Sequence, residues 1–359
     1  MESYERMTHA SIDDAISVIA NAIAARVFPA AAVDVGGSDG SIWSQAFGAL
    51  VFDAVDAATS SDTPFDLASL TKVIATTTVA MNLVATRALR LDQRVGDLLS
   101  EWRGADREPV TVADLLEHAS GLPARLVDPP PAGRREFEHD ICAMPLEYTP
   151  RAASIYSDLG FILLGFVLAD RGAAPFASQF DALWRRIDSN VLTFALPPAL
   201  RRLAAPTMPM QDDARRGRML QGEVHDNYAA ALGGVAGHAG LFGTAAGVGV
   251  FARVVLRALR GDTTRPAPWS PEVVRRFAAR SSVPGSSRAL GWDTMLPSSS
   301  CGTRMSPSAI GHVGFTGTSL WIDPARDRYY VLLTNRACGG GTLDQMRAVR
   351  RDFHDALTI

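Results

Sequence analysis

Phe65-Asp66-Leu67-Ala68-Ser69-Leu70-Thr71-Lys72 decides how the chain is read, because it holds the only lysine among 35 lysine and arginine positions, three residues after a serine. An ammonium shifts its pKa readily when desolvated and can act as a neutral base, whereas a guanidinium stays charged at every working pH. In a chain that uses arginine everywhere else, a lone lysine beside a serine points to proton transfer. With Ser69 in the first turn of a helix that continues from Val73 to Leu89, residues i and i+3 share a face and the hydroxyl and amine meet. Serine is a poor nucleophile until a neighbouring base takes its proton, and an apolar helix N-terminus favours the neutral amine.

Composition narrows the class of partner. The 359 residues carry a net charge of −3 with no basic block, which argues against nucleic acid or an anionic membrane and for a small molecule. Cys142, Cys301 and Cys338 are far apart and odd in number, so neither a disulfide framework nor a zinc site is indicated. Met1 to Arg26 places Asp13 and Asp14 ahead of its apolar run and reads as an amphipathic helix, not an export signal, so a cytoplasmic location is expected. The longest uncharged helical stretch, Val73 to Thr86, contains four threonines and an asparagine and is too short and polar for a membrane span.

Outward from the lysine, the patterns change in a definite order. Ala31 to Val35 and Ser41 to Phe47, joined by Gly36-Gly37-Ser38-Asp39-Gly40, read as a β-hairpin. From Leu67 to about Leu259 helical patterns dominate, interrupted at Asp128 to Gly133 and Ala204 to Gly217. Strand patterns return at Gly311 to Ile322 and Arg328 to Thr334, with Asp323-Pro324 as a turn, and Thr342 to Leu357 closes the chain as a helix. The expected organisation is an α/β domain whose first part is residues 1–65, a helical domain over 66–260 and the second part of the α/β domain over 261–359. Poor order is expected around Pro129, from Gly261 to Pro271 and from Pro297 to Ser308, where Ser, Pro and Gly cluster.

Two further motifs lie downstream of Ser69-Leu70-Thr71-Lys72: Tyr156-Ser157-Asp158 before an apolar segment, and His312-Val313-Gly314 at the start of a predicted strand. With the stretches Thr111 to Pro123 and Gly233 to Phe242, they give a chain that resembles the serine β-lactamase and penicillin-binding protein superfamily, in its class C β-lactamase-like branch, from about Phe28 to Asn335. That branch includes D-alanyl-D-alanine carboxypeptidases, D-aminopeptidases and class C-like carboxylesterases. The resemblance implies a β-lactamase/transpeptidase-like α/β fold, with an antiparallel sheet flanked by terminal helices and an inserted helical domain. It also implies that Ser69 attacks a carbonyl, that Lys72 and Tyr156 exchange the proton, and that the backbone N–H groups of Ser69 and Phe315 form an oxyanion hole. Two donors aimed at a developing oxyanion are the largest single contribution such a site makes.

The chain departs from that pattern in two places. Asp158 stands where asparagine is common, and a carboxylate near Lys72 favours the charged amine, so Tyr156 is the expected general base with Lys72 as its electrostatic partner, the reverse assignment remaining open. His312 and Val313 stand where lysine and threonine are common, a weaker cation and a side chain without a hydroxyl. Carboxylate recognition should therefore be poorer, which favours an ester or a less acidic amide over penicillin or D-Ala-D-Ala peptides; Arg304 is one candidate for a replacement anchor.

The remaining polar clusters have less specific readings. Gly233 to Gly243 lacks a phosphate-loop signature and is expected to be a substrate-side loop, with Thr244 capping the next helix. His238, with His225 and Asp226, does not have a metal-ligand spacing and is placed with Asp158, His312 and Gly314 among residues around the substrate. His118 is taken as structural, and Trp292 and Trp321 as either cleft or core. No cofactor is required by the chemistry. The expected activity is hydrolysis of a small ester, amide or β-lactam-like substrate through an acyl group on Ser69, with acyl transfer to an amine or alcohol, or a sensor that stays acylated, as the rivals.

Overall fold

The computed structural model describes residues 9–54, 57–126, 129–264 and 267–358. Val127, Asp128, Arg265 and Pro266, which fall in or beside two of the stretches expected to be poorly ordered, lie outside the described residues, as do residues 1–8 of the expected N-terminal helix. In chain order the strands are β1 (Ala30–Gly36), β2 (Ser41–Gly48), β3 (Phe65–Asp66), β4 (Leu192–Thr193), β5 (Phe242–Gly243), β6 (Asp293–Thr294), β7 (Ile310–Val313), β8 (Ser319–Asp323) and β9 (Arg328–Thr334).

Six of these form one antiparallel sheet in the order β2-β1-β9-β8-β7-β6, so strands from the two ends of the sequence pair at its centre, Val33 opposite Leu332. Strand residues alternate between faces. On one face Ala31, Val33, Val35, Tyr330 and Leu332 pack with Ile19 of the helix His9–Ala24 and with Met346 and Phe353 of the helix Leu343–Leu357. On the other, Ala32, Leu320, Val331 and Leu333 join a larger core that holds the helices of the middle of the chain. The helix Ala245–Arg260, which sequence groups with the helical block, packs directly on β1, β8 and β9. Thr244 caps it as expected, accepting the Gly247 N–H at 3.2 Å.

Two expectations about elements need correction. The strand pattern over Gly311 to Ile322 is two strands, because Gly314 to Thr318 turns back on itself: Gly317 has φ +116° and its N–H bonds the Gly314 carbonyl. Pro297 to Ser308 is tied down, with the Ser306 N–H and hydroxyl both donating to the buried carboxylate of Asp323. Among the described residues no single helix is long and apolar enough to cross a membrane, and Lys72 to Ala85 is buried against the core instead.

Candidate active site

Ser69 sits on a tight elbow between β3 and the helix that carries Lys72. Ala68 takes φ +48°, a left-handed conformation that costs a non-glycine residue free energy, and the carboxylate of Asp66 accepts its N–H at 2.8 Å. The other Asp66 oxygen accepts the His225 N–H at 2.6 Å, and the Asp66 carbonyl accepts the Thr316 hydroxyl at 2.8 Å. Asp66 thus fastens the elbow to the turn between β7 and β8. Burial raises its pKa to about 6 against the opposing effect of those two N–H bonds.

The helix does not begin as an ordinary α-helix nor run to Leu89. Lys72–Thr76 is a π-turn in which the Thr77 N–H bonds the Lys72 carbonyl five residues back, and Thr77–Ala85 continues as α-helix. Such widened turns concentrate at functional sites. Here the Thr76 hydroxyl donates to the Gly237 carbonyl at 2.5 Å, which draws the helix onto the glycine-rich loop. Gly237 in turn lies on Gly165, where a Cβ on either would collide with the other's backbone at 2.9 Å. The close approach delivers the neighbouring carbonyl of His238 to Lys72.

Lys72 is fully buried. Its Nζ donates to Ser69 Oγ at 3.0 Å, Asp158 Oδ1 at 2.8 Å and the His238 carbonyl at 3.0 Å, which uses all three ammonium hydrogens. Tyr156 OH donates to Ser69 Oγ at 2.7 Å. The hydroxyl, amine and phenol predicted to converge therefore do so. Burial is the largest influence on Lys72 and pulls its pKa down, but Asp158, Tyr156 and the hydrogen bonds together raise it above the ordinary value. Burial and the Asp158 carboxylate likewise push the Tyr156 phenol up, against the pull of Lys72. At rest Ser69 Oγ accepts two hydrogen bonds from a fully protonated pair.

Tyr156 is held by the stretch that ends in Ser120-Gly121-Leu122-Pro123. The Ile155 N–H bonds the His118 carbonyl, the Ser157 N–H bonds His118 Nδ1 at 3.1 Å, and the Asp158 N–H bonds the Ala124 carbonyl. His118 is structural, as expected, its ring 4.7 Å from the Tyr156 ring and its pKa well below the usual value through burial. Asp158 opens the helix Asp158–Arg171, where the N-terminal dipole favours an anion.

These groups line a cleft of about 570 Å³. Gly314 and Phe315 form part of its wall, and a Cβ on Gly314 would run into the Thr318 hydroxyl and lie 2.7 Å from the Leu67 carbonyl, so only glycine lets β7 reach the elbow. Among the described residues neither the Ser69 nor the Phe315 backbone N–H has a protein acceptor. Arg350, buried on the C-terminal helix, donates to the Gly314 and Thr318 carbonyls and holds this turn. Burial lowers its pKa to about 9.

Other expected residues land differently. His312 lines the cleft but is buried and neutral, burial and the nearby cations Arg288 and Lys72 holding its pKa far down, so it is not the weak cation expected. His238 enters the cleft wall with Nε2 2.8 Å from Asp226 Oδ1, and His225 stacks on Phe315 at 5.3 Å. Arg304 is tied to Asp355, outside the cleft lining, and is no carboxylate anchor. Trp292 stacks on Phe251 and Trp321 packs over Gly311, both in the core.

Sequence reasoning missed Arg288, whose guanidinium lies 5.3 Å from the Tyr156 ring centroid and finds no acid within ion-pair distance among the described residues. It also missed Arg125, 3.8 Å from Asp158 and 3.5 Å from Asp226. Nothing sets either apart from the other arginines along the chain.

Residues 15–354 match the family model described as Beta-lactamase. The chain belongs to the beta-lactamase family. An Escherichia coli (strain K12) protein named "Putative D-alanyl-D-alanine carboxypeptidase" is 28% identical over 308 residues, covering 77% of this chain and 70% of that one. Among solved structures, "EstCE1, a hydrolase with promiscuous acyltransferase activity" superposes with a TM-score of 0.77 at 18% identity, over 98% of this chain and 99% of that one. A class C beta-lactamase from Rhodobacter sphaeroides gives a TM-score of 0.75 at 17% identity, over 95% and 98%. The beta-lactamase family member described here accordingly has the β-lactamase/transpeptidase-like α/β fold and is a serine hydrolase of the β-lactamase and penicillin-binding protein kind.

Proposed function

We propose that the protein cleaves a small ester or amide through an acyl-enzyme on Ser69, with Lys72 and Tyr156 as its proton-transfer pair. The observation that carries this reading is the position of Ser69 Oγ, 3.0 Å from Lys72 Nζ and 2.7 Å from Tyr156 OH in an open cleft. A fully protonated pair has no room for the proton of Ser69, so the competent form is one proton short, shared between amine and phenol. In that form Tyr156 takes the serine proton as Oγ attacks the carbonyl carbon, while Lys72 keeps its charge beside Asp158. The oxyanion is received by the N–H groups of Ser69 and Phe315. Tyr156 then protonates the leaving alcohol or amine, and water releases the acyl group by the same route in reverse.

The test is a chromogenic short-chain ester and nitrocefin offered to the wild type and to Ser69→Ala, with intact-protein mass spectrometry after brief mixing. Ester turnover, a transient acyl adduct and loss of both in Ser69→Ala support the reading. Turnover that survives in Ser69→Ala would overturn it, and an adduct that never turns over would make the protein a sensor.

A further inference from the structure

Eight large apolar side chains are exposed among the described residues, and three of them, from three separate segments, line this one cleft: Met210 at 47% exposure, Phe315 at 39% and Leu343 at 52%. Met208, two residues from Met210, is a fourth exposed side chain on the same stretch. A shelf of this kind could be an accident of loose loops, but these segments are stitched together. Arg336 donates to the Phe315 carbonyl at 2.6 Å and to the Gly341 carbonyl at 3.1 Å, and its guanidinium lies 4.7 Å from the Phe315 ring centroid. The Met208 N–H bonds the Ala337 carbonyl at 2.7 Å, which ties the methionine stretch to the same turn. Leu343 lies within the capping box of Thr342 and Gln345, so the start of its helix is set as well.

Apolar side chains fixed at the wall of a reaction cleft mark a surface that is covered when the cleft is filled. Methionine suits such a surface, because its unbranched thioether adapts to a flexible guest. We propose that Met210, Phe315 and Leu343 bind an unbranched aliphatic chain of the substrate, so that lipophilic esters or amides are preferred over acetyl ones. The inference rests on the Ser69 reading above and names its substrate class. The chain belongs either to the acyl group or to the alcohol, and both present the same methylenes to the shelf.

The experiment uses two series of esters with the full-length protein: p-nitrophenyl esters of increasing acyl length, and acetate esters of alcohols of increasing length. In one of the two series kcat/KM rises roughly two- to fourfold per added methylene until the shelf is full, as partial burial of each CH₂ requires. The long-to-short rate ratio then falls about fivefold or more in the double variant Met210→Ser, Leu343→Ser, and is unmoved by Ile42→Ser, a control on the exposed face of β2. A flat or falling dependence in both series, or a ratio that the double variant leaves intact, overturns the proposal. Turnover of acetates without chain dependence sinks the shelf alone, while Ser69-independent turnover sinks the mechanism. If no ester is turned over, titration of Ser69→Ala with octyl acetate and ethyl acetate decides the matter: tighter binding of octyl acetate supports the shelf, and equal binding rejects it.

Discussion

Lys72 and Asp158 form an ion pair at 2.8 Å in which the amine is wholly withdrawn from solvent and the carboxylate remains only slightly exposed. The pair sets the protonation level of the whole site. Asp158 raises the pKa of both Lys72 and Tyr156, so it opposes the one-proton-short form on which the proposed chemistry depends. Activity should therefore climb with pH above neutrality. Asp158→Asn removes the anion and lowers both values, so the rising limb of kcat/KM moves to lower pH. A shift of about one unit raises the rate near neutral pH about tenfold. The variant also leaves a buried ammonium without its counter-charge, which costs roughly 3–5 kcal/mol of stability. A pH–rate profile and a urea denaturation curve check the two effects separately, and a limb that stays in place would refute the assignment of Asp158.

Asp66 positions the elbow without touching a substrate, and its removal should be felt in kcat more than in KM. Asparagine keeps one acceptor but turns an N–H₂ group toward either Ala68 or His225, so one of the two backbone bonds is lost. A displaced oxyanion donor costs on the order of 10²–10³ in kcat. The pH profile separates this from general loosening. In the wild type Asp66 gains a proton below about pH 6 while the Lys72–Tyr156 pair is also protonated, so log kcat/KM falls with a slope approaching two. In Asp66→Asn the slope should be one, and a slope of two in the variant would show that Asp66 has no part in it.

Arg288, not Arg304, lines the cleft, and among the described residues no acid stands within ion-pair distance of it. An ester that carries a carboxylate should gain from its guanidinium, so Arg288→Ala raises KM for an anionic ester about tenfold relative to its neutral amide analogue. Arg304→Ala, tied to Asp355 away from the cleft, should leave that ratio unchanged. Equal KM effects of Arg288→Ala on both esters would mean that the side chain only packs on Tyr156.

The difference between these arginines shows which features were legible along the chain. The hairpin of β1 and β2 was readable because two apolar runs around a glycine-bearing loop are a local signal, and the helix after Thr342 because its periodicity is one too. Ser69 and Lys72 were readable because a lone lysine three residues from a serine is rare in any chain so rich in arginine, and Tyr156 was readable only through the resemblance of Tyr156-Ser157-Asp158 to a family motif. Asp66 was hidden for the opposite reason: its partners are the near neighbour Ala68 but also His225 and Thr316, which only the folded chain brings close. The split of β7 from β8 was hidden because Phe315 and Thr316 look like strand residues. The turn between the strands is made by tertiary contacts from Arg336 and Arg350. The widened turn at Lys72 had no sequence signal either, since its cause is the carbonyl of Gly237, more than a hundred and fifty residues away.

Buried neutral histidines make acid stability a direct readout of the fold. His118 and His312 have pKa values far below the usual one, His225 is lowered to about 4 and His354 to about 3, in each case chiefly by burial. Cations facing them, Arg288, Lys72 and Arg350 among others, act in the same direction. The unfolded chain binds protons at these positions from about pH 6.5 downward while the folded chain does not. Stability present above that pH is therefore lost as pH falls toward 4. Asp66 works the other way, because its folded-state pKa is raised and the folded form binds a proton first between about 6 and its unfolded value, and burial likewise raises Asp34, Glu138 and Asp181. Between about pH 7 and pH 5 the histidines dominate, because an ordinary imidazole takes up its proton within that window and an ordinary carboxylate below it. Unfolding free energy from urea titrations should fall by several kcal/mol between about pH 7 and pH 5, at roughly 1.4 kcal/mol per pH unit for each net proton taken up. His354→Gln, outside the cleft lining and beside Ser319, should reduce that slope by about one proton, and a pH-independent stability over this range would place these imidazoles in water.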